Sequence, residues 1–255
     1  ESEISKLGGT VVFVNRAYDV PTKNKAVIIL HCATSKTAKN TIMKAEVANK
    51  TIIATSIYNA QQWAIYLDIP SSRIHIVLPF ADPVFANAQR SKPAKKTRIV
   101  FAGRLHPDKG IFTLLEMMQE KKKKKNGFVV SIVTAGQHVE TGRTIAQMLK
   151  NYPYAKLITP QKSVTAMAHI LAQNDILLVP SVYAEPFGML SVEAQHTGCR
   201  VVASNIGGLP ETNCGLLTLV EPRDPRALVL GIEQAVALGA ATKKERSFAK
   251  NDFTL

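Results

Sequence analysis

Ile176-Leu177-Leu178-Val179-Pro180-Ser181, followed after three residues by Glu185-Pro186-Phe187-Gly188-Met189-Leu190-Ser191-Val192-Glu193, is the stretch on which the reading of this chain turns. The first run is short, apolar and rich in branched side chains, the pattern of a strand buried on both faces of a parallel sheet. The second opens as a turn and continues as a helix starting near Phe187. In an open parallel sheet, ligands bind beyond the carboxyl ends of the strands, where this loop falls. The first N–H groups of a helix have no intrahelical partner and carry the positive end of its dipole, so they form an anion site. With two carboxylates to accept from hydroxyls, the loop suits a phosphorylated sugar. Acidic residues near a helix N-terminus are also favoured by the dipole alone, so Glu185 and Glu193 have a purely structural reading as well.

A second loop of matching chemistry lies upstream. Gly103-Arg104-Leu105-His106-Pro107-Asp108-Lys109-Gly110 follows the apolar run 98–102 and precedes a segment with helical periodicity from Ile111. Arg104 offers a planar fork to phosphate oxygens and Lys109 a mobile point charge. Either cation alone reads as a solvated surface group; two strand-to-helix loops, one cationic and one acidic, favour a site. The pattern predicts strands over 99–102, 128–134, 155–159, 176–179, 200–203 and 215–220. Helices are predicted over 111–123, 142–151, 164–173, 187–197 and 225–238. Such alternation implies a parallel sheet covered by helices, an α/β architecture.

At these residues the sequence resembles the family 4 (group 1) retaining glycosyltransferases of GT-B fold. G-R-L-H-P-D-K-G is similar to that family's G-R-L-x-x-x-K-G segment, and E-P-F-G-M-L-S-V-E to its E-x7-E motif. Asn205-Ile206-Gly207-Gly208-Leu209-Pro210-Glu211 resembles the G-G-x-x-E segment that follows, and Gly215-Leu216-Leu217 the G-L-L after it. The resemblance implies two Rossmann-like parallel-sheet domains facing a cleft. It also implies a retaining, metal-independent transferase that moves a sugar from a nucleotide diphosphate donor, with no cofactor. By the same resemblance Arg104 and Lys109, with Gly103 in their loop, bind the diphosphate. Glu185 accepts from sugar hydroxyls, and backbone N–H groups of Phe187, Gly188, Met189 and Leu190 touch sugar and diphosphate. Glu193 takes the ribose diol.

The first third of the chain is less regular. Strands are expected over 11–15, 26–31, 51–54 and 74–77, with helices over 37–47 and 60–67. Residues 81–97 read as a linker. The expected division is residues 1–95 as an acceptor-side domain, incomplete at its start because no opening strand with a glycine-rich loop is found, and 96–255 as the donor-binding domain. His31 ends an apolar run and, by resemblance, stands near the reacting sugar carbon; the alternative is a hydrogen-bonded core histidine. Gly136-Gln137-His138 and Thr159-Pro160-Gln161 are candidates for lining a base pocket, with His106 and His138 weaker catalytic candidates. His75, His169 and His196 read as structural or surface positions, and Trp63 and Tyr66 as packing residues.

Bulk properties are those of a globular protein: 255 residues, 46% hydrophobic and 20% charged. The scattered Cys32, Cys199 and Cys214 do not form a disulfide framework, which favours a reducing cytoplasm. A net charge of +13 calls for an anionic partner. Lys121 to Lys125 read as the solvated end of a helix. Aromatic residues are only 6% and no nucleic-acid module is recognised, so nucleic acid is disfavoured. An anionic membrane surface, with the protein peripheral on the cytoplasmic face of the inner membrane, fits better. The implied acceptor is then a glycan or glycolipid, lipid-linked or of lipopolysaccharide type. The rival functions are a non-catalytic nucleotide-sugar-binding module and a nucleotide-sugar epimerase of the same architecture.

Overall fold

Among the described residues, short aliphatic runs pair into two wholly parallel sheets. The computed structural model describes residues 9–15, 25–34, 47–121, 127–134, 139–159, 161–251 and 253. Most of the helix expected over 37–47, residues 136–138, Pro160 and Lys122 to Lys125 therefore lie outside the described residues. The chain divides into two compact units: Glu1–Pro79 with Ala184–Phe187, and Phe80–Tyr183 with Gly188–Leu255.

In the first unit, strands β1 (Val11–Val14), β2 (Ala26–Leu30), β3 (Thr51–Ala54) and β4 (Ile74–Ile76) lie side by side in chain order. Helix α1 (Ile57–Leu67) follows β3. The Ser56 hydroxyl caps it, accepting from Asn59 N–H at 2.9 Å. Its inward face buries Ala60, Trp63, Ala64 and Leu67 against Ile28, Leu30 and Ile52 of the sheet. Trp63 packs edge-on against Tyr66, as its reading as a packing residue anticipates.

The second unit begins with the short helix α2 (Pro83–Asn87) and the strand β5 (Thr97–Gly103). There follow α3 (Ile111–Lys121), β6 (Phe128–Thr134), α4 (Val139–Leu149), β7 (Ala155–Ile158) and α5 (Val164–Gln173). The second half contains β8 (Ile176–Val179), α6 (Met189–His196), β9 (Arg200–Ser204), β10 (Leu217–Val220), α7 (Pro225–Ala237) and α8 (Lys243–Asn251). Strand order is β10-β9-β8-β5-β6-β7. The chain builds outward from β5 through β6 and β7, then returns to place β8 on the other side of β5. Helix α3 packs on α7, while α2, α5, α6 and α8 pack among themselves. With helices on both faces, Ile99, Phe101, Ile132, Leu178 and Val202 are almost wholly removed from water.

Three expected boundaries shift for local reasons. The helix expected from Phe187 starts at Met189, because Gly188 takes φ 127° and no α-helix passes through such a residue. The linker 81–97 contains α2, started by Asp82 as a cap to Val84 N–H and Pro83 in the first turn, and anchored by buried Phe85. The strand expected from Gly215 starts at Leu217, after Gly215 at φ 90°.

β5 and β8 are far apart in sequence and joined in space at both ends. At the amino end, Asp175 accepts from Arg98 through N–H (2.8 Å), Nε (3.1 Å) and Nη2 (2.7 Å). Between these ends Ile99, Val100 and Phe101 pair with Ile176, Leu177 and Leu178. At the carboxyl end Gly110, at φ 72°, lies so close to Pro180 that a Cβ there would stand 1.7 Å from the Pro180 carbonyl oxygen. Only glycine fits both the conformation and the contact.

Gly110→Ala is therefore expected to cost roughly 2–4 kcal/mol, from left-handed strain and backbone overlap together, read as a lowered denaturant midpoint. Burial pushes the Asp175 carboxyl up, but the hydrogen bonds from Arg98 outweigh it and hold the group below its ordinary value. Its contribution is then present above the usual carboxylate range and lost as pH falls through the lowered pKa. Asp175→Asn should destabilise by about 1–3 kcal/mol at neutral pH. Urea titrations in acid should show the gap to wild type closing.

Candidate functional site

The reversal of strand order places a topological switch point between β5 and β8, where open α/β sheets bind ligands beyond the strands' carboxyl ends. The loops leaving these two strands carry the cationic and the acidic segments. They are tied by Val182 N–H donating to the Asp108 carbonyl at 2.8 Å and by the Gly110–Pro180 contact. Arg104 is exposed, and among the described residues no carboxylate pairs with it. Lys109 is half-buried and directed by Tyr183: its Nζ lies 5.0 Å from the ring centroid and donates to the hydroxyl at 3.2 Å. A 3-10 turn over Pro107–Lys109 presents the lysine, with His106 accepting from Asp108 N–H. His106 thus shapes the cationic loop.

Helix α6 starts on Gly188, which offers no side-chain acceptor to the first turn. A side chain at Gly188 would collide with Leu209, 2.6 Å from the Cβ position, and approach Thr212 at 3.5 Å. The N-terminus of α6 therefore rests on the turn Leu209–Thr212 that follows β9. Gly188, Met189 and Leu190 are only partly buried at this start. One turn further on, the Glu193 carboxyl is pushed up to about 7, first by burial and then by the negative charge of Asp82. The carboxyl is half-buried, and among the described residues no cation pairs with it. The opposite face of α6 carries Ser191 and Gln195, both fully buried and hydrogen-bonded to the Leu209–Thr212 turn and the segment after it.

The sequence-predicted residues fall into two sets. Gly103, Arg104, Lys109, Gly188, Met189, Leu190 and Glu193 belong to the second unit, at the carboxyl ends of β5 and β8. His31, Glu185 and Phe187 belong to the first, since Ala184–Phe187 makes its contacts there, with the Ser56 hydroxyl donating to the Pro186 carbonyl. Glu185 is 7% exposed and Phe187 4%. His31 is exposed at the end of β2, on a backbone held from three sides. Asn15 Oδ1 accepts from His31 N–H (2.6 Å) and Cys32 N–H (3.0 Å). Asn59 donates to the Leu30 carbonyl (2.7 Å) and Trp63 Nε1 to the Cys32 carbonyl (2.9 Å). This excludes the core-histidine alternative. His75 and His169 are exposed and His196 is buried, as surface and structural positions. Tyr183, Asp82, Gln195 and Thr212 were not legible as site residues. Only the position of Tyr183, two residues before Glu185, carried a signal in the sequence.

A family model described as group 1 glycosyl transferases matches residues 85–253. A D-inositol 3-phosphate glycosyltransferase of Nocardioides sp. is 30% identical over 202 residues, covering 69% of this chain and 43% of the relative. A lipopolysaccharide 1,2-N-acetylglucosaminetransferase of Salmonella typhimurium is 27% identical over 150 residues, covering 55% and 39%. The chain thus spans about two fifths of the length of these curated relatives. Among solved structures, a glycosyltransferase from Rickettsia africae superposes with TM-score 0.79 at 18% identity, over 96% of this chain and 73% of that one. HepE of Anabaena, solved with UDP and glucose, gives TM-score 0.70 at 17% identity, over 91% and 68%. The fold is accordingly GT-B, and by the family match over more than half of its length the chain belongs to the group 1 glycosyltransferases.

Proposed function

We propose that this chain handles the donor in a glycosyltransferase that moves a sugar from a nucleotide diphosphate-sugar to an acceptor, retaining configuration and using no metal. The observation that carries this reading is the junction, at the switch point, of the Arg104–Lys109 loop with the uncapped start of α6 and the half-buried carboxyl of Glu193. Arg104 and Lys109 stabilise the negative charge that grows on the departing diphosphate, the largest catalytic contribution in such a site. The α6 N-terminus supplies backbone donors to the same group. Glu193, ionised, accepts from the ribose diol, and Glu185 from hydroxyls of the transferred sugar. His31 stands on the acceptor side, near the reacting carbon. By the family resemblance the displacement proposed is on the same face, the leaving phosphate taking the acceptor's proton.

The acceptor proposed is a glycan or glycolipid presented at an anionic membrane surface, drawn by the +13 charge. The Salmonella relative's name, a lipopolysaccharide transferase, is in keeping with that class. Among the described residues no helix is long and apolar enough to cross a membrane, so the attachment proposed is peripheral, on the cytoplasmic face.

Calorimetry with UDP, GDP and ADP is expected to find one that binds, with Arg104→Ala and Lys109→Ala each weakening it on the order of tenfold or more. Binding of none of the three would overturn the reading, and binding without transfer or donor hydrolysis would favour a binding module. Glu193 ionises as pH rises through about 7, so affinity for the intact nucleotide-sugar should rise over that interval. Its diphosphate diester does not itself titrate there. The Glu193→Gln profile should be flat; an equally steep one would remove Glu193 from the ribose contact.

A further inference from the structure

Gln195 uses every hydrogen-bonding position of its amide. Nε2 donates to the Thr212 carbonyl at 2.8 Å, to the Ser191 carbonyl at 3.1 Å and to Ser191 Oγ at 3.2 Å. Oε1 accepts from Cys214 N–H at 2.8 Å and Leu216 N–H at 3.1 Å. The orientation of the amide is forced, because turning it over would set its NH2 against two backbone donors. Thr212 Oγ1 completes the set, 2.7 Å from both Ser191 Oγ and the Leu209 carbonyl. Ser191, Gln195 and Thr212 are each fully removed from solvent.

Four of these bonds, from Gln195 to Thr212, Cys214 and Leu216 and from Thr212 to Ser191, join two segments: α6, which carries Glu193, and the stretch from Leu209 to Leu216 that follows β9. Ser191 and Gln195 stand four residues apart on one face of α6, and Glu193, two residues from each, projects from the opposite face. Fixing the inner face therefore fixes the azimuth of Glu193. The same turn supplies Leu209 and Thr212, on which Gly188 rests, so it also sets the height of the first-turn N–H groups.

We propose that Gln195, with Thr212, is a positioning residue of the donor site: it locks the rotation of α6 so that the first-turn N–H groups and Glu193 meet one nucleotide diphosphate together. This rests on the donor reading given above. A bound diphosphate should in turn reinforce the lock, since it and the buried amide restrain the same helix from its two faces.

The test has a ligand-free and a ligand-bound arm, on wild type, Gln195→Met, Thr212→Val and the conservative Thr212→Ser. In the free protein, hydrogen exchange is expected to speed up at residues 189–193 and 213–216 in Gln195→Met and Thr212→Val. Thr212→Ser, which keeps the hydroxyl, should stay close to wild type. Calorimetry well below each variant's unfolding temperature should show affinity for the preferred nucleoside diphosphate falling about tenfold in the first two, and by less than about twofold in Thr212→Ser. Should Gln195→Met fail to fold, the Thr212 pair decides alone. Thr212→Val binding as tightly as wild type, or exchanging no faster, would overturn the inference while leaving the donor reading intact. Wild type that binds no nucleoside diphosphate removes the donor reading, and this inference with it.

Discussion

The close approach of Gly110 to the Pro180 carbonyl is the constraint on which the rest of the second unit depends. β5 and β8 are neighbours only because the chain completes β6 and β7 on one side and then returns to the other. That return creates the single place where two loops diverge from adjacent parallel strands, and there the backbones touch. A residue with a side chain would hold them apart, moving Lys109 and Tyr183 away from one another and opening the Val182–Asp108 hydrogen bond. The Arg98–Asp175 pair does the corresponding work at the amino end, where charge-assisted hydrogen bonds to one carboxylate hold the register.

On this frame the two signs of charge are handled differently. Arg104 is left exposed, whereas Lys109 is half-buried and held beside the hydroxyl and ring of Tyr183. Glu193 is instead pressed into a desolvated position beside another acid. Ionising that carboxyl is opposed by desolvation and by the negative charge of Asp82. A ligand that brings hydroxyl donors to it, and phosphate to the cations, relieves the arrangement from both ends.

Much of this was legible in the sequence because it is local. Short apolar runs marked the strands of the second unit to within about two residues, and G-R-L-H-P-D-K-G and E-P-F-G-M-L-S-V-E marked the two loops. What escaped was non-local. No pattern shows that β5 pairs with β8, that Tyr183 lies over Lys109, or that Asp82 raises the Glu193 carboxyl. Gln195 drew no reading from the sequence, since three of its five hydrogen bonds, with Thr212, Cys214 and Leu216, are made to residues well beyond α6. The start of α6 was placed two residues early, at Phe187, because the sequence does not show that Gly188 takes φ 127°, a conformation outside the helix, with Leu209 lying where a side chain would stand.

The nine-residue motif that reads as one element is, physically, two. The chain leaves the second unit after Tyr183, makes its contacts with the first unit over Ala184–Phe187, and returns at Gly188. Glu185 and Phe187 are thus buried by one set of neighbours, and Glu193 by another. The glycine between them is where the backbone can turn sharply enough to change hands. The simplest structural reading, two acids favoured by the dipole at a helix N-terminus, would set both beside the first turn of α6, whereas Glu185 lies three residues before the Gly188 cap and Glu193 five after it.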